Sequence, residues 1–433
     1  MKTSLKTVVF AMVIATSMLS CSKSTEPQTC ANPVFSQRSG TYDSELFITI
    51  SCDTPGAVIY YTTNGAIPTE SSDRYSGGIT INSTTTLKAK AYKSGWNPSA
   101  TTSASYVVTI ADEFAGGSGT RTDPYLVQTP AQLNNVRNYM SSHFLQTANI
   151  DLSSYSNWEP IGARSKDSQP FRGSYNGGGF SISNLTIDRP GRDYVGLFGN
   201  CESYASLINI NLKNVNVKGR NQVGALAGSM NDTVRDVSHC SSTGSVSGVA
   251  RVGGLFGGTT EISYCWSSCS VYGVFMVGGL AAGGDVISNS YATGNVFGTN
   301  IVNYDEPRYF GGLVGTGRDI RDCYARGNVT ASYGDSSVGG LVGMCVSSSI
   351  VRSYSTGHVS GTSSMYTGGL SGWSSNHTIT NCYWDVQTSG TNFSHGGEGK
   401  TTPEMKQQST YQTWDFDSVW YISSNSYPTL RGI

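Results

Sequence analysis

Four acidic residues stand just ahead of a recurring Ile or Val: Asp236, Glu261, Asp285 (one place early) and Asp319. If each heads one turn of a stacked chain, neighbouring acids would lie ~4.8 Å apart. Carboxylates that close repel unless a cation sits between them. The pattern therefore raises a Ca²⁺ site, or the paired acids of a polysaccharide lyase or glycoside hydrolase. Acids fanned apart on exposed turns are the competing reading and the better supported one. His143, His239, His358, His377 and His395 share no repeat position, and neither a Gly-x-Ser-x-Gly elbow nor a His-Glu-x-x-His motif occurs. No catalytic residue and no resident metal or cofactor is assigned on this pattern.

A second set is aromatic. Tyr304, Asp305, Glu306, Arg308, Tyr309 and Phe310 fall within one short stretch, and Tyr272, Phe275, Tyr333 and Tyr366 occur at comparable places elsewhere. Aromatic faces beside a few carboxylates suit stacking on sugar rings and hydrogen bonding to hydroxyls. The alternative is that these rings pack on one another and cover an edge.

What must position both sets is a repeat. Gly-Leu or Gly-Gly-Leu phrases carry leucines at 197, 226, 255, 280, 313, 341 and 370, with steps of 29, 29, 25, 33, 28 and 29 residues. So regular a period predicts a solenoid. Each unit has three short apolar beats separated by glycines, which fits one coil of a parallel β-helix. The 33-residue step marks an insertion around Gly298 to Phe310, expected as a loop on the binding face. The small residue three places after each Ile or Val is Cys240, Cys265, Ser290, Cys323, Ser353 and Cys382. Cys mixed with Ser at one register predicts a tight interior column rather than a metal site. The residues that follow (Trp266, Tyr291, Tyr324, Tyr354 and Tyr383) should point outward and stack. Residues 196–372 resemble the GLUG repeat family of large exported bacterial surface proteins, a resemblance that implies a scaffold and no reaction.

Residues 30–109 read as several strands with turns at Pro55-Gly56, Asn64-Gly65 and Ser94-Gly95. An Ig-like β-sandwich follows. Thr54-Pro55-Gly56-Ala57, Ile59-Tyr60-Tyr61-Thr62-Thr63-Asn64-Gly65 and Leu87-Lys88-Ala89-Lys90-Ala91 resemble the chitobiase/β-hexosaminidase C-terminal-type module, which is usually accessory. Cys30 and Cys52 lie in this segment and are a candidate disulfide, with free thiols as the equal alternative. Residues 111–195 should cap the solenoid and supply its entry coils, with a helix begun by Thr129 and Pro130 and a strand over Ile182 to Ile187. The repeats run over 196–385. Residues 386–433 include a Thr-capped helix near Pro403 and a Trp-rich tail that should close the last coil.

The first 20 residues read as an export signal: Lys2 and Lys6 precede an apolar run that ends at Ser20-Cys21. Met18-Leu19-Ser20-Cys21 resembles a bacterial lipobox, which implies a lipidated Cys21, a tether over 21–29, and an address at the outer membrane or cell surface. A net charge of −1 with 13% charged residues excludes a nucleic-acid footprint. The fold expected is all-β, a parallel β-helix behind a small sandwich. The function expected is an adhesin-like surface protein that binds glycans or cell surfaces, with a polysaccharide-degrading enzyme and a purely structural scaffold as alternatives.

Overall fold

A computed structural model describes residues 27–433 except 43–44, 82, 109–112, 164–168, 232–233, 301–306, 332–334 and 376. Cys21, Tyr304, Asp305, Glu306 and Tyr333 lie outside the described residues. The chain divides into two compact units, Met1–Ala111 and Asp112–Ile433.

In the first unit Thr85–Tyr92 alternates buried Leu87, Ala89 and Ala91 with half-buried neighbours, the mark of a sheet with one covered face. It is central in a five-stranded sheet whose order is Gly40–Tyr42, Thr102–Val108, Thr85–Tyr92, Val58–Thr62 and Asp73–Arg74. Two short antiparallel pairs, Leu46–Ile48 with Ile79–Ile81 and Val34–Phe35 with Ile50–Ser51, accompany it. Ile48, Ile81, Leu87 and Tyr106 fill the core. Both adjacent tyrosines are half-buried, and each meets a neighbouring ring edge-on, Tyr61 with Tyr75 and Tyr60 with Tyr92. Cys30 and Cys52 are free thiols, and Cys52 Sγ donates to the Ala31 carbonyl at 3.3 Å. The structure therefore corrects the disulfide alternative to separate thiols.

The second unit is a parallel β-solenoid of about eight turns. Among the described residues its main sheets have eleven, fifteen and six strands, and every pairing within them is parallel. The phrase leucines form its spine. Leu197 through Leu370 are fully buried, and each N–H from Leu226 to Leu341 donates to the next leucine carbonyl at 2.8–3.0 Å. The chain bends at the paired glycines, at 254–255, 279–280, 312–313, 340–341 and 369–370, and none of them has a positive φ. Glycine is needed there for space: a Cβ on Gly312 would lie 2.1 Å from the Gly340 carbonyl oxygen of the next coil.

The cysteine column is interior as expected. Cys240, Cys265, Ser290, Cys323, Ser353 and Cys382 are buried, and burial pushes the Cys240, Cys323 and Cys382 thiols up. Outside it, rings stack from Trp266 to Tyr354, with centroid spacings of 5.7, 4.7 and 5.2 Å. Trp414 and Trp420 of the tail cover this stack, packed with Met405, Tyr411 and Tyr383. Arg326 donates to the Pro428 carbonyl at 2.7 Å, which pins the tail to the coils.

Both helix starts predicted from sequence form capping boxes: Thr129 with Gln132 for Pro130–Asn135, and Thr401 with Glu404 for Thr402–Met405. The strand expected from Ile182 to Ile187 is instead broken, with Asn184 at φ 60 between Ser181–Ser183 and Thr186–Asp188. Asparagine tolerates that left-handed corner. Its side chain joins Asp151 below and Asn214 above.

Candidate functional site

The solenoid has corners where single non-glycine residues adopt left-handed backbone, a conformation most side chains avoid. One corner repeats at Asn209, His239, Tyr264, Asn289, Asp322, Arg352 and Asn381, each just before the interior column. Another repeats at Tyr194, Gln222, Arg251 and Met276, each just before a buried valine that pairs coil to coil. The recurrence of Asn and Asp at the first corner was a readable signal. The second corner uses Tyr, Gln, Arg and Met, so its residue types gave none.

The second corner is the functional candidate. Gln222, Arg251 and Met276 form a wall shared by two grooves. One, of about 660 Å³, is also lined by Asp193, Tyr194, Phe275 and Tyr309. The other, of about 400 Å³, runs past Thr259, Thr316 and Met344 to Asp285 and Arg318. Arg251 is exposed and forms no ion pair among the described residues. Asp193 is fixed by the Arg220 guanidinium, whose Nε and Nη2 each donate to it at 2.7 Å. Those bonds, led by the Arg220 side chain, hold the Asp193 carboxyl below the usual range despite partial burial. The larger groove thus presents aromatic surface, amides, one clamped carboxylate and one uncommitted guanidinium.

The aromatic insertion is only partly a loop. Arg308–Gly311 is a strand in register with Phe275–Gly278 and Ser336–Gly339. Phe310 is opposite Val277 and Val338 and is buried in the coil interior, so its candidacy as a ligand residue is corrected to core packing. Arg308 is buried, with its guanidinium 5.6 Å from the Phe275 ring centre. Tyr309, between them, points the other way and lines the groove.

The expected aromatic strip does not form as one line. Tyr272 is on the strand Ser270–Gly273 and stacks on Phe297 at 4.8 Å, nearly parallel. One face of Tyr272 is thus taken by Phe297, while the neighbouring coil on its other side presents Ser247 and the ring stays exposed. Phe275 is on a different face of the coil, and Tyr366 ends a short 3₁₀ turn, Ser364–Tyr366.

The acid ladder is corrected as well. Glu261 pairs with Val286, which pairs with Asp319, so an apolar residue interrupts the column. Asp285 instead meets Arg318 at 3.4 Å, and Asp319 pairs with Arg321. Asp236 is opposite Ser206 and lines a separate hollow of about 350 Å³ with His143 and Tyr204. Among the described residues, no group of three or more His, Cys, Asp or Glu side chains is placed to hold a metal ion. The Ca²⁺ geometry expected from spacing needed one register and finds two.

These features define a parallel β-solenoid preceded in the chain by an N-terminal β-rich domain. Residues 37–103 match the chitobiase/β-hexosaminidase C-terminal domain family. The chain is 33% identical over 393 residues to a protein of Evansella cellulosilytica provisionally named a Gly-rich membrane protein, covering 73% of this chain and 45% of that one. It is 42% identical over 154 residues to halomucin of Haloquadratum walsbyi, covering 33% of this chain and 2% of that one. The chain therefore spans less than half the length of either relative. A candidate immunoglobulin A1 protease of Bacteroides ovatus has a similar fold, with a TM-score of 0.52 at 20% identity, covering 74% of this chain and 95% of that one.

Proposed function

We propose that the chain is an exported, lipid-anchored bacterial surface protein whose solenoid binds a saccharide of a glycan or neighbouring cell surface. The single observation that carries this reading is the groove of about 660 Å³ beside Tyr309, where rings, amides, Asp193 and Arg251 meet. Sugar recognition calls for that mixture: apolar ring faces for C–H surfaces and convergent polar groups for hydroxyls. A relative called halomucin and another called a membrane protein support a surface address. The GLUG-like repeats and the lipobox-like Met18-Leu19-Ser20-Cys21 support it independently. The likeness to the Bacteroides ovatus protein is one of fold, and no peptidase reading is drawn from it.

The test is a glycan array probed with the full chain carrying Cys21→Ser, which should also release the protein from membranes. Binding that falls about tenfold or more in Tyr309→Ala and Arg251→Ala, with melting unchanged, is the expected result. A folded protein that captures no glycan removes the saccharide reading. Continued membrane retention of Cys21→Ser removes the anchor.

A further inference from the structure

Two arginines pair with one carboxylate on the entry coils, and two more stand beside them. Arg189 Nη2 and Arg192 Nη1 reach the two oxygens of Glu159 at 2.9 and 2.6 Å. Arg137 donates from Nη2 to the Glu159 backbone carbonyl at 2.8 Å and from Nε to the Asn134 carbonyl at 2.9 Å. Its guanidinium lies 5.4 Å from the Trp158 ring centre, and it forms no ion pair among the described residues. Arg172 is 3.6 Å from Glu202 and donates to Gln169. Among the described residues, these four guanidiniums are matched by two carboxylates, Glu159 and Glu202.

Carbonyl oxygens orient a guanidinium but do not neutralise it, and a half-buried cation short of counter-charge attracts an anion. Burial is the main influence on the Arg137 guanidinium and draws its pKa down, against the opposing field of Glu159. A groove of about 490 Å³ opens at this point, lined by Arg137, Arg172, Arg192, Glu159 and Gln169. Planar guanidinium forks suit carboxylate and sulfate oxygens.

We propose that this groove is an anion subsite that takes the carboxylate or sulfate group of an acidic polysaccharide. Arg192 lines it, and the next residue, Asp193, lines the groove beside Tyr309, so one polymer can occupy both. The identity of the ligand as a saccharide rests on the function proposed above; the anion subsite is tested apart from it.

The experiment is affinity electrophoresis of the full chain carrying Cys21→Ser in gels containing dextran sulfate, polygalacturonate or neutral dextran. The sulfate and carboxylate arms identify the preferred group. Retardation by at least one acidic polymer, weakened by salt, and absent with neutral dextran, is expected. Arg172→Gln with Arg192→Gln should weaken it about tenfold or more at unchanged melting temperature. Should that pair unfold, Arg172→Gln alone, whose side chain among the described residues meets Gln169 and Glu202, carries the same comparison. Unchanged retardation in the folded variant overturns the subsite, as does equal retardation by neutral dextran or none by either acid polymer. Loss of affinity in the arginine variant with none in Tyr309→Ala would keep the anion subsite and sink the Tyr309 groove.

Discussion

The ring stack from Trp266 to Tyr354 and the corner from Tyr194 to Met276 are both ladders, each made by one repeat position returning in register. In the stack the repeated residues are alike, and their faces satisfy one another. The tail then seals the end of the stack, with Trp420 fully buried and its indole N–H donating to Asp322 at 3.1 Å. At the corner the residues differ, and two grooves lie on either side. Uniformity serves cohesion of the coils; variety at a fixed register leaves the grooves on which the proposed binding depends.

The largest effect should come from unsealing the stack. Trp420→Ala removes a fully buried indole and leaves Asp322 without one of its donors. Destabilisation of about 3–5 kcal/mol is expected, read from the denaturant midpoint. Arg352 would still hold Asp322 through two bonds of 2.7 and 2.6 Å, which keeps the loss within that range. A change under about 1 kcal/mol would mean that the tail covers the coils without stabilising them.

A sharper contrast uses two adjacent residues of the insertion. Phe310→Ala empties the coil interior between Val277 and Val338 and should cost about 3–5 kcal/mol. Tyr309→Ala removes a half-buried ring from the groove wall and should cost about 1 kcal/mol or less. Equal costs at the two positions would erase the distinction between interior and groove on which the functional reading depends.

The repeat made the solenoid, the cysteine column and the outward ring stack legible, because register is a property of spacing and spacing is written in the chain. The same ruler mislabelled Phe310. The extra residues of the long coil do not shift the strand that follows them, so Phe310 returns to the interior register that Val277 and Val338 occupy. The acid ladder failed for a related reason: Asp285 is one residue early, which in a strand puts its side chain out of line and leaves Val286 in the column. The grooves were not legible. They depend on left-handed backbone at Gln222, Arg251 and Met276, where no glycine or asparagine marks the corner, and on Asp193 and Tyr309, which are separated by more than a hundred residues.

The smallest effect concerns the clamp at the groove's edge. Asp193 is folded with its carboxyl below the usual range, chiefly through the Arg220 hydrogen bonds. A group depressed on folding contributes stability above its unfolded pKa of about 3.9 and loses it as pH falls through the folded value. Both partners remain partly exposed, so the contribution should stay below about 1 kcal/mol. Melting curves of the native chain and Asp193→Asn should therefore differ slightly at pH 7 and converge only once the pH falls below the folded value. The stack offers no matching signature, because burial raises the Tyr324 and Tyr354 hydroxyls and keeps them neutral through that range. A difference between the two chains that persists unchanged into acid would show that Asp193 acts there through shape rather than charge, and would weaken its assignment as the fixed carboxylate of the groove.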